Sequence, residues 1–190
     1  MGVQRKFVES YCRVSWKNEF DLADSNPLIR MCTFIFKKLE DNRYKVFKWK
    51  LYNKIIPSKV MLCKWKIEEN NMCNVCNIVE DYEHYFIGCT YFDAFWQKII
   101  DSLKEMYYMI NIKRLQYIVM GYKIVYTNYE GINVLLTIIG YAIYKTFHVS
   151  EQKRKYVNAV SILRREIEQY ITYTRKFQVK LFLEKFIGNM

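Results

Sequence analysis

The chain has 190 residues, of which 52% are hydrophobic and 17% aromatic, so it is long enough to bury a sizeable core. Only six glycines and two prolines are present, which argues against a β-sandwich with many tight turns and against long disordered linkers. Thirty basic residues outnumber nineteen acidic residues, and the net charge of +11 favours a polyanionic partner such as nucleic acid.

The positive charge lies on both sides of the middle of the chain. Residues 1–60 carry thirteen basic and six acidic side chains, and residues 151–190 carry nine and four. Residues 61–100 instead carry three basic and six acidic side chains. Contact with a polyanion is therefore expected from the flanks, although a lysine-rich surface can also serve solubility alone.

The N-terminal residues contain no apolar signal segment, and the most apolar run, residues 132–144, is shorter than a membrane span. We therefore expect an intracellular protein, nuclear or cytoplasmic, with no membrane partner. Cysteines in such a compartment are reduced, so clustered cysteines indicate metal binding rather than disulfide bonds.

Apolar periodicity predicts a helix over residues 28–39 and an amphipathic helix over residues 43–55. Pro57 stops the second helix, and Ser58 is positioned to cap a short helix over residues 59–66. The expected buried face of the amphipathic helix comprises Tyr44, Phe47, Leu51 and Ile55.

The second half of the chain also has helical periodicity. We predict a helix over residues 91–109, a loop with a short helix over 111–131 and a core helix over 132–149. Residues 151–187 predict one long helix or two, because the β-branched threonines near Thr174 favour an interruption. The expected buried seam of this last part comprises Val160, Leu163, Ile167, Tyr170, Phe177 and Leu181.

Four potential metal ligands lie within seventeen residues, in the pattern Cys73-x2-Cys76-x7-His84-x4-Cys89. Two cysteines separated by two residues can bind one ion through a tight knuckle, and His84 with Cys89 can complete a tetrahedron. Three thiolates and an imidazole suit Zn²⁺, and four protein ligands leave no open position for a reacting water. The sequence therefore predicts one structural zinc ion. The alternative is three free cysteines and a surface histidine.

The segment that carries these ligands, residues 67–90, has few strong apolar anchors and contains three clustered acids, Glu80, Asp81 and Glu83. We therefore expect it to need a metal ion to become ordered. Cys63 lies ten residues upstream of the first ligand and is expected to be a small core residue.

The residues around the ligands form a longer pattern. Its parts are Trp49 to Asn53, Pro57-Ser58, Leu62, Trp65 to Ile67, the four ligands and Phe95-Trp96. This pattern resembles the zinc-binding domain found C-terminal to the polymerase in non-LTR (LINE-type) retrotransposon reverse transcriptases. The resemblance implies a role in gripping template RNA and target DNA. It also makes nucleic acid and the polymerase region of a reverse transcriptase the expected partners.

We predict a mainly α fold, consisting of a small irregular zinc-stapled helical domain followed by long C-terminal helices. The N-terminal helical segment is expected over residues 1–42 and the zinc-binding domain over residues 43–110. A C-terminal helical extension over residues 111–190 is expected to pack on the same core.

The chain departs from a complete reverse transcriptase. It contains no adjacent Asp-Asp pair, which such polymerases use to bind metal ions, and no endonuclease or other catalytic set is visible. We therefore expect a non-catalytic RNA- or DNA-binding module without a small-molecule substrate, and a fragment or separate copy of a longer element. The alternative is a zinc-stabilised helical scaffold for protein–protein interaction.

Two groups of basic residues are candidates for phosphate contacts, which depend strongly on salt and little on base sequence. The first group, on the helix over residues 43–55, comprises Lys45, Lys48, Lys50 and Lys54. The second group comprises Lys153, Arg154, Lys155, Arg164, Arg165, Arg175 and Lys176. Either group can instead be a solvated helix face. Trp49 and Trp65 could stack on bases, but their helical spacing favours core positions.

Overall fold

The described part of the chain is built from α-helices. A computed structural model describes residue 16 and residues 37–108, 112–121, 129–153 and 158–190. The helices within these residues are α1 (Asn42–Tyr52), α2 (Lys59–Lys64), α3 (Asp93–Glu105), α4 (Leu115–Met120), α5 (Tyr129–Lys153), α6 (Ala159–Tyr173) and α7 (Phe177–Gly188).

The predicted mainly α fold is confirmed. These residues contain no strand, and their one isolated antiparallel bridge joins Met72 to Val79. The helices expected over residues 43–55, 91–109 and 132–149 are present as α1, α3 and α5. The helix predicted over residues 28–39 lies outside the described residues, apart from its last three positions.

Three of the described helices, α1, α2 and α6, begin where a short polar side chain accepts a hydrogen bond from an N–H group of the first turn. Asp41 accepts a hydrogen bond from the Arg43 N–H (2.8 Å) at the start of α1. Ser58 accepts one from the Met61 N–H (3.4 Å), so the predicted cap of α2 is confirmed. Asn158 caps α6 in the same way.

Three helices end in the same hydrogen-bond pattern without a glycine. At the end of α1, the Lys54 N–H bonds to the Leu51 carbonyl (3.1 Å), and the following N–H bonds to the Lys50 carbonyl (3.0 Å). Helices α2 and α3 repeat the pattern, with Lys66 and Tyr107 in the position of Lys54. The three residues have φ of 50°, 59° and 65°. This is the Schellman ending, in which glycine usually takes the left-handed position.

The early end of α1 corrects one predicted core residue. Tyr44, Phe47 and Leu51 are buried as expected, whereas Ile55 is 37% exposed. Ile55 lies beyond the helix, because the chain turns at Lys54 and leaves the helical phase on which the prediction relied.

Helix α5 lies at the centre of the described fold, where it contacts α1, α4, α6, α7 and the turn at residues 84–88. Its residues 131–140 are all buried. A Cβ atom added at Gly140 would lie 2.9 Å from Ile118 Cγ2 on α4 and 3.1 Å from Phe47 Cζ on α1. Glycine at this position therefore allows α1 and α4 to approach α5 closely. None of the described helices is long and apolar enough to cross a bilayer.

The interruption predicted near Thr174 is confirmed, since residues 174–176 separate α6 from α7. The predicted buried seam is correct at Leu163, Ile167 and Tyr170, and Val160 is half-buried. It is wrong at Phe177 and Leu181, which are 70% and 51% exposed. The break resets the helical phase, so α7 presents a different face to the core. The residues of α7 that are buried are Val179, Leu183 and Phe186.

Lys48 is completely buried, which corrects its assignment to an exposed basic face. Its Nζ atom donates hydrogen bonds to the carbonyls of Ile118 (2.5 Å) and Val119 (3.1 Å) in the last turn of α4. The same atom lies 5.6 Å from the ring centroid of Tyr52. Carbonyl groups at a helix C-terminus carry partial negative charge and stabilise a cation. Lys48 therefore joins α1 to α4 and is not available to a phosphate.

A second buried charge, Glu166 on α6, joins three helices. Its carboxylate lies 2.7 Å from Lys145 Nζ on α5 and 3.4 Å from Arg43 Nη1 on α1. The Tyr44 hydroxyl donates to the same carboxylate (3.3 Å). Burial, together with the charge of Glu166, raises the pKa of Tyr44 and keeps its hydroxyl protonated. The buried carboxylate is thus neutralised by contacts from two neighbouring helices.

The ending of α3 generates a stability prediction. Tyr107 has a left-handed φ of 65° and is 89% exposed, so its side chain gains little from packing. Glycine adopts this conformation without the steric cost of a Cβ atom. We expect Tyr107→Gly to raise the free energy of unfolding by about 0.5–1 kcal/mol relative to Tyr107→Ala, measured by chemical denaturation of the zinc-loaded protein.

The alanine variant is the matched control, because it removes the same side chain but keeps the strained Cβ atom. Equal stability of the glycine and alanine variants would show that the left-handed backbone at this position carries no strain.

Candidate metal centre

The four side chains predicted to bind zinc lie together. One potential ligand atom from each of Cys73, Cys76, His84 and Cys89 lies within 4.8 Å of all the others. The Cys89 Sγ atom is 3.8 Å from Cys73 Sγ and 3.7 Å from Cys76 Sγ. A tetrahedral zinc ion with Zn–S bonds of about 2.3 Å places its sulfurs about 3.8 Å apart. The donor set and its spacing therefore fit a tetrahedral zinc ion.

The histidine of the cluster is prepared to act as a neutral ligand. His84 is buried, and its Nε2 atom has no hydrogen-bond partner among the described residues. Burial lowers the pKa of His84, although the charge of Asp81 opposes this effect. A buried nitrogen without a partner is costly, and coordination of a metal ion removes that cost.

The first two cysteines are held by a compact knuckle. The Asn77 N–H bonds to the Cys73 carbonyl (2.9 Å), and the Cys73 N–H bonds to the Ile78 carbonyl (2.8 Å). Asn77 has a left-handed φ of 55°, which asparagine tolerates better than most residues. The reversal of the chain at Asn77 explains how Cys73 and Cys76 can face the same point.

The second pair of ligands is joined by a π-helical turn, His84–Gly88. The Cys89 N–H bonds to the His84 carbonyl (2.9 Å), and the Asp81 carboxylate accepts a hydrogen bond from the His84 N–H (2.8 Å). In an α-helix, residues five apart point about 140° away from each other. The wider turn brings them closer to one face, so it suits the four-residue spacing between histidine and cysteine.

The buried thiols require deprotonation before they can bind metal. Burial raises the pKa of Cys73 and of Cys89. Backbone N–H groups of Cys76 and Val75 oppose this effect at Cys73, and the Tyr91 N–H opposes it at Cys89. Because thiolates are the ligands, zinc must displace these protons, and the apparent zinc affinity decreases as the pH is lowered.

Thr90 makes two contacts with the third thiol. Its N–H donates to Cys76 Sγ at 3.3 Å, and its Oγ1 lies 3.1 Å from the same sulfur. Burial raises the pKa of Cys76, but the hydrogen bonds from Thr90, together with those involving the Cys89 and Cys73 thiols, lower the net pKa. Thr90 therefore stabilises the thiolate form of Cys76 and orients its sulfur.

The acidic stretch before His84 has a structural role that the sequence did not reveal. Glu80 is 5% exposed, and its Oε1 atom accepts a hydrogen bond from the Lys59 N–H (3.0 Å) at the start of α2. Its carbonyl accepts another from the Val60 N–H (3.2 Å). Glu80 therefore fastens the ligand segment to α2.

Two aromatic side chains connect the ligand segment to its neighbours through buried hydrogen bonds. The Tyr82 hydroxyl donates to the Ile56 carbonyl (3.0 Å) and accepts from the Ile56 N–H (3.2 Å). The Trp96 Nε1–H on α3 donates to the Phe86 carbonyl (3.1 Å). The segment is thus attached to the chain on both sides of the cluster.

The ligand segment also has strong apolar anchors, which corrects the expectation that it has few. Tyr82, Tyr85, Phe86 and Ile87 are all at least 92% buried. The Tyr85 ring lies 4.3 Å from the Phe147 ring on α5, measured between centroids. These anchors follow Asp81, whereas most side chains of residues 67–79 are exposed. The metal ion is therefore needed chiefly to fix the first half of the segment.

The first predicted phosphate-contacting group is largely occupied by contacts within the protein. Lys50 Nζ lies 3.4 Å from the Tyr144 hydroxyl, and Lys54 Nζ lies 4.3 Å from the ring centroid of Trp16. Lys45 and Lys50 are half-buried, so each still presents part of its side chain to solvent. With Lys48 in the core, the structure does not bring the four lysines onto one exposed face.

The second predicted group is only partly described. Arg164 and Arg165 are exposed on α6. Lys153 is the last residue of α5, and Arg154 and Lys155 lie outside the described residues. Lys176 is paired with Glu130, whereas Arg175 is exposed.

Two tryptophans expected in the core are instead partly exposed. Trp49 is 39% and Trp65 is 41% exposed, whereas Trp16 and Trp96 are fully or almost fully buried. Each exposed tryptophan lies between two lysines in the sequence, and each buried one does not have this pattern. The flanking lysines are the signal that could have identified the exposed pair.

Comparison with known proteins finds a match for less than half of the chain. Residues 12–96 match the family model described as zinc-binding in reverse transcriptase, which is a zinc-binding segment and not a polymerase catalytic domain. Neither the search of curated proteins nor the search of solved structures found a match. The family match and the cluster of three cysteines and one histidine together indicate one structural zinc site.

The contacts of Thr90 generate a prediction about this site. Thr90→Val removes the hydroxyl group but keeps the shape and the backbone N–H, so Cys76 loses one of its two hydrogen bonds from Thr90. We expect the zinc affinity to fall roughly tenfold. Loss of a hydrogen bond to a metal ligand usually lowers the affinity by this much or more, and we expect the lower end because Thr90 is exposed. The measurement is competition for zinc with a chelator of known affinity.

Thr90→Ser is the matched control, because it keeps the hydroxyl group and should bind zinc like the parent. Identical zinc affinities for the valine variant, the serine variant and the parent would exclude a role of this hydroxyl at the site.

Proposed function

We propose that this protein is a non-catalytic, zinc-stapled module that binds RNA or DNA. The observation that carries the proposal is the Cys₃His cluster within a chain of net charge +11, in a segment that matches a reverse-transcriptase zinc-binding family. Nucleic acid is the polyanion that such a charge favours.

The proposed ligands are Cys73, Cys76 and Cys89 through Sγ and His84 through Nε2. The S–S separations of 3.7 and 3.8 Å and the unpartnered Nε2 atom support this assignment. Four protein ligands fill a tetrahedral site and leave no position for water or substrate. Three thiolates also leave the site with a net charge of about −1, which disfavours a Lewis-acid role. The metal therefore acts in folding and not in chemistry.

The proposed contacts to nucleic acid come from basic side chains outside the ligand segment. The members of the predicted groups that keep solvent-exposed surface, and so remain available, include Lys45, Lys50, Arg164, Arg165 and Arg175. Lys48 is excluded by its burial. Contacts of this kind position phosphates and do not read bases.

The wider setting of the module is also proposed. Its resemblance to the zinc domain that follows the polymerase in LINE-type reverse transcriptases supports the polymerase region as a second partner. Intracellular action, in the nucleus or cytoplasm, follows from a nucleic-acid partner. The division into segments 1–42, 43–110 and 111–190 stays a prediction.

The proposal is tested by titrating the zinc-loaded protein against labelled RNA and DNA oligonucleotides between 50 and 200 mM salt. Phosphate contacts release counterions, so binding should weaken with salt. About three contacts to a single strand correspond to a roughly twentyfold loss of affinity over this range. Absence of binding at 50 mM salt would refute the proposal.

Charge-reversal variants show which surface is responsible. Lys45→Glu with Lys50→Glu should weaken binding and reduce its salt dependence, because both side chains are partly exposed on α1. Lys98→Glu with Lys104→Glu makes the same charge change on the exposed face of α3 and is the matched control. An equal loss of nucleic-acid affinity in both double variants would show that binding depends on total charge and not on α1.

A second candidate function is a zinc-stabilised scaffold for a protein partner. An exposed apolar pair on α7 favours it, formed by Phe177 (70% exposed) and Leu181 (51%). Positions four residues apart lie on one side of a helix, and exposed apolar patches often mark interaction sites. This alternative predicts no binding of RNA or DNA at 150 mM salt, so the titration separates the two functions.

A further inference from the structure

The tripeptide Lys64-Trp65-Lys66, at the C-terminal end of α2, is exposed in all three residues. Trp65 is 41% exposed, and neither lysine forms an ion pair with any residue in the described part of the chain. The buried tryptophans differ in chemistry as well as in position. Trp16 and Trp96 each donate the indole N–H to a backbone carbonyl, those of Tyr52 and Phe86. Packing in the core therefore does not explain why a tryptophan lies at position 65.

The tripeptide is held in a fixed turn. The Trp65 N–H bonds to the Met61 carbonyl (3.0 Å), the Lys66 N–H to the Cys63 carbonyl (2.9 Å), and the N–H after Lys66 to the Leu62 carbonyl (2.9 Å). These bonds fix the direction in which the indole and the two flanking side chains leave the backbone. A preformed surface loses less conformational entropy when it binds a ligand.

Lysine at position 66 is unfavourable for the turn itself. Its φ of 59° lies in the left-handed region, where glycine would be less strained. The equivalent lysine of α1, Lys54, has a structural explanation because its Nζ atom lies over the ring of Trp16. No such contact explains Lys66 among the described residues. Backbone strain kept without a structural benefit is often associated with function.

The local charge is positive at this point of the surface. Glu68, the nearest acid in the sequence, is paired with Lys59 at 2.5 Å. The next acid in the sequence is Glu69, which is exposed. An exposed aromatic face between two unpaired cations suits a ligand with a flat π-system flanked by negative charges. A nucleotide in a single strand has both features, whereas paired bases in a duplex do not present their faces.

We propose that Trp65 stacks on a base of single-stranded RNA or DNA while Lys64 and Lys66 contact the adjacent phosphates. This inference rests on the proposed function above and specifies its ligand as a single strand. Trp49 has similar exposure but lacks the same setting, because Lys48 is buried and Lys50 is held against Tyr144. Trp49 therefore provides an internal comparison.

The first test measures the affinity of the zinc-loaded protein for a labelled single strand and for the matching duplex. We expect the parent to prefer the single strand and Trp65→Ala to lose roughly tenfold or more of that affinity. Trp65→Phe should retain part of the affinity, because it keeps an aromatic face. Trp49→Ala should bind like the parent. Zinc content and thermal unfolding confirm that each variant is folded.

The second test separates binding from stability. Lys66→Gly removes a charge and relieves the left-handed strain, so it should raise the unfolding midpoint while weakening single-strand binding a few-fold. Its salt dependence should decrease by about 0.7 in the slope of log affinity against log salt concentration. A residue with only a structural role would not shift stability and binding in opposite directions.

The outcomes distinguish this inference from the proposed function. If the parent binds nucleic acid but Trp65→Ala and Lys66→Gly bind equally well, the inference is wrong, the proposed function stands, and the Trp65 surface serves another partner. Equal affinity for single strand and duplex would likewise overturn the inference alone. If the parent binds no nucleic acid, both are overturned.

Discussion

The zinc-binding half of the structure depends on one constraint: the knuckle at residues 73–78 and the π-helical turn His84–Gly88 must lie close enough for one metal ion to bind ligands from both. The two pairs of ligands come from different local structures, and their donor atoms lie within 4.8 Å of one another. Residues 67–79 have few buried side chains of their own, so apart from a few backbone hydrogen bonds the metal fixes their path. Binding of a structural zinc ion is coupled to folding and typically contributes about 10–16 kcal/mol of apparent binding energy in small zinc-finger peptides. In this protein the buried aromatic side chains that follow Asp81 also stabilise the ligand segment, in addition to the metal ion.

The metal centre is coupled to the basic scaffold through defined contacts. Glu80 holds the start of α2, Tyr82 holds Ile56 after α1, and Trp96 ties α3 to the π-helical turn. Helix α5 then joins this half to α6 and α7. A site without an open coordination position can therefore still support the proposed binding of nucleic acid, because it fixes the elements that carry lysine and arginine. The negative charge near the knuckle also makes the metal loop a poor phosphate contact.

Sequence reasoning was most reliable where one local signal decides the outcome. Ligand spacing predicted the Cys₃His cluster, the cap at Ser58 predicted the start of α2, and apolar periodicity predicted α5. It failed where tertiary contacts decide, since the burial of Lys48 depends on carbonyls of α4 that are seventy residues distant. It also failed beyond helix ends, as at Ile55 and Phe177, because periodicity cannot anticipate a turn that resets the helical phase.

Hydrogen–deuterium exchange of the protein with one bound zinc ion, compared with the same protein after chelation, tests the central claim most directly. We predict that metal removal lowers amide protection over residues 71–91, where the knuckle, the π-helical turn and their hydrogen bonds lie, and most sharply over residues 71–79, which lack the buried aromatic anchors. Residues 135–143 in the buried part of α5 should keep most of their protection, because aromatic and aliphatic packing holds them. Unchanged protection over residues 71–91 after complete metal removal would contradict the account, since the segment would then be ordered without its staple.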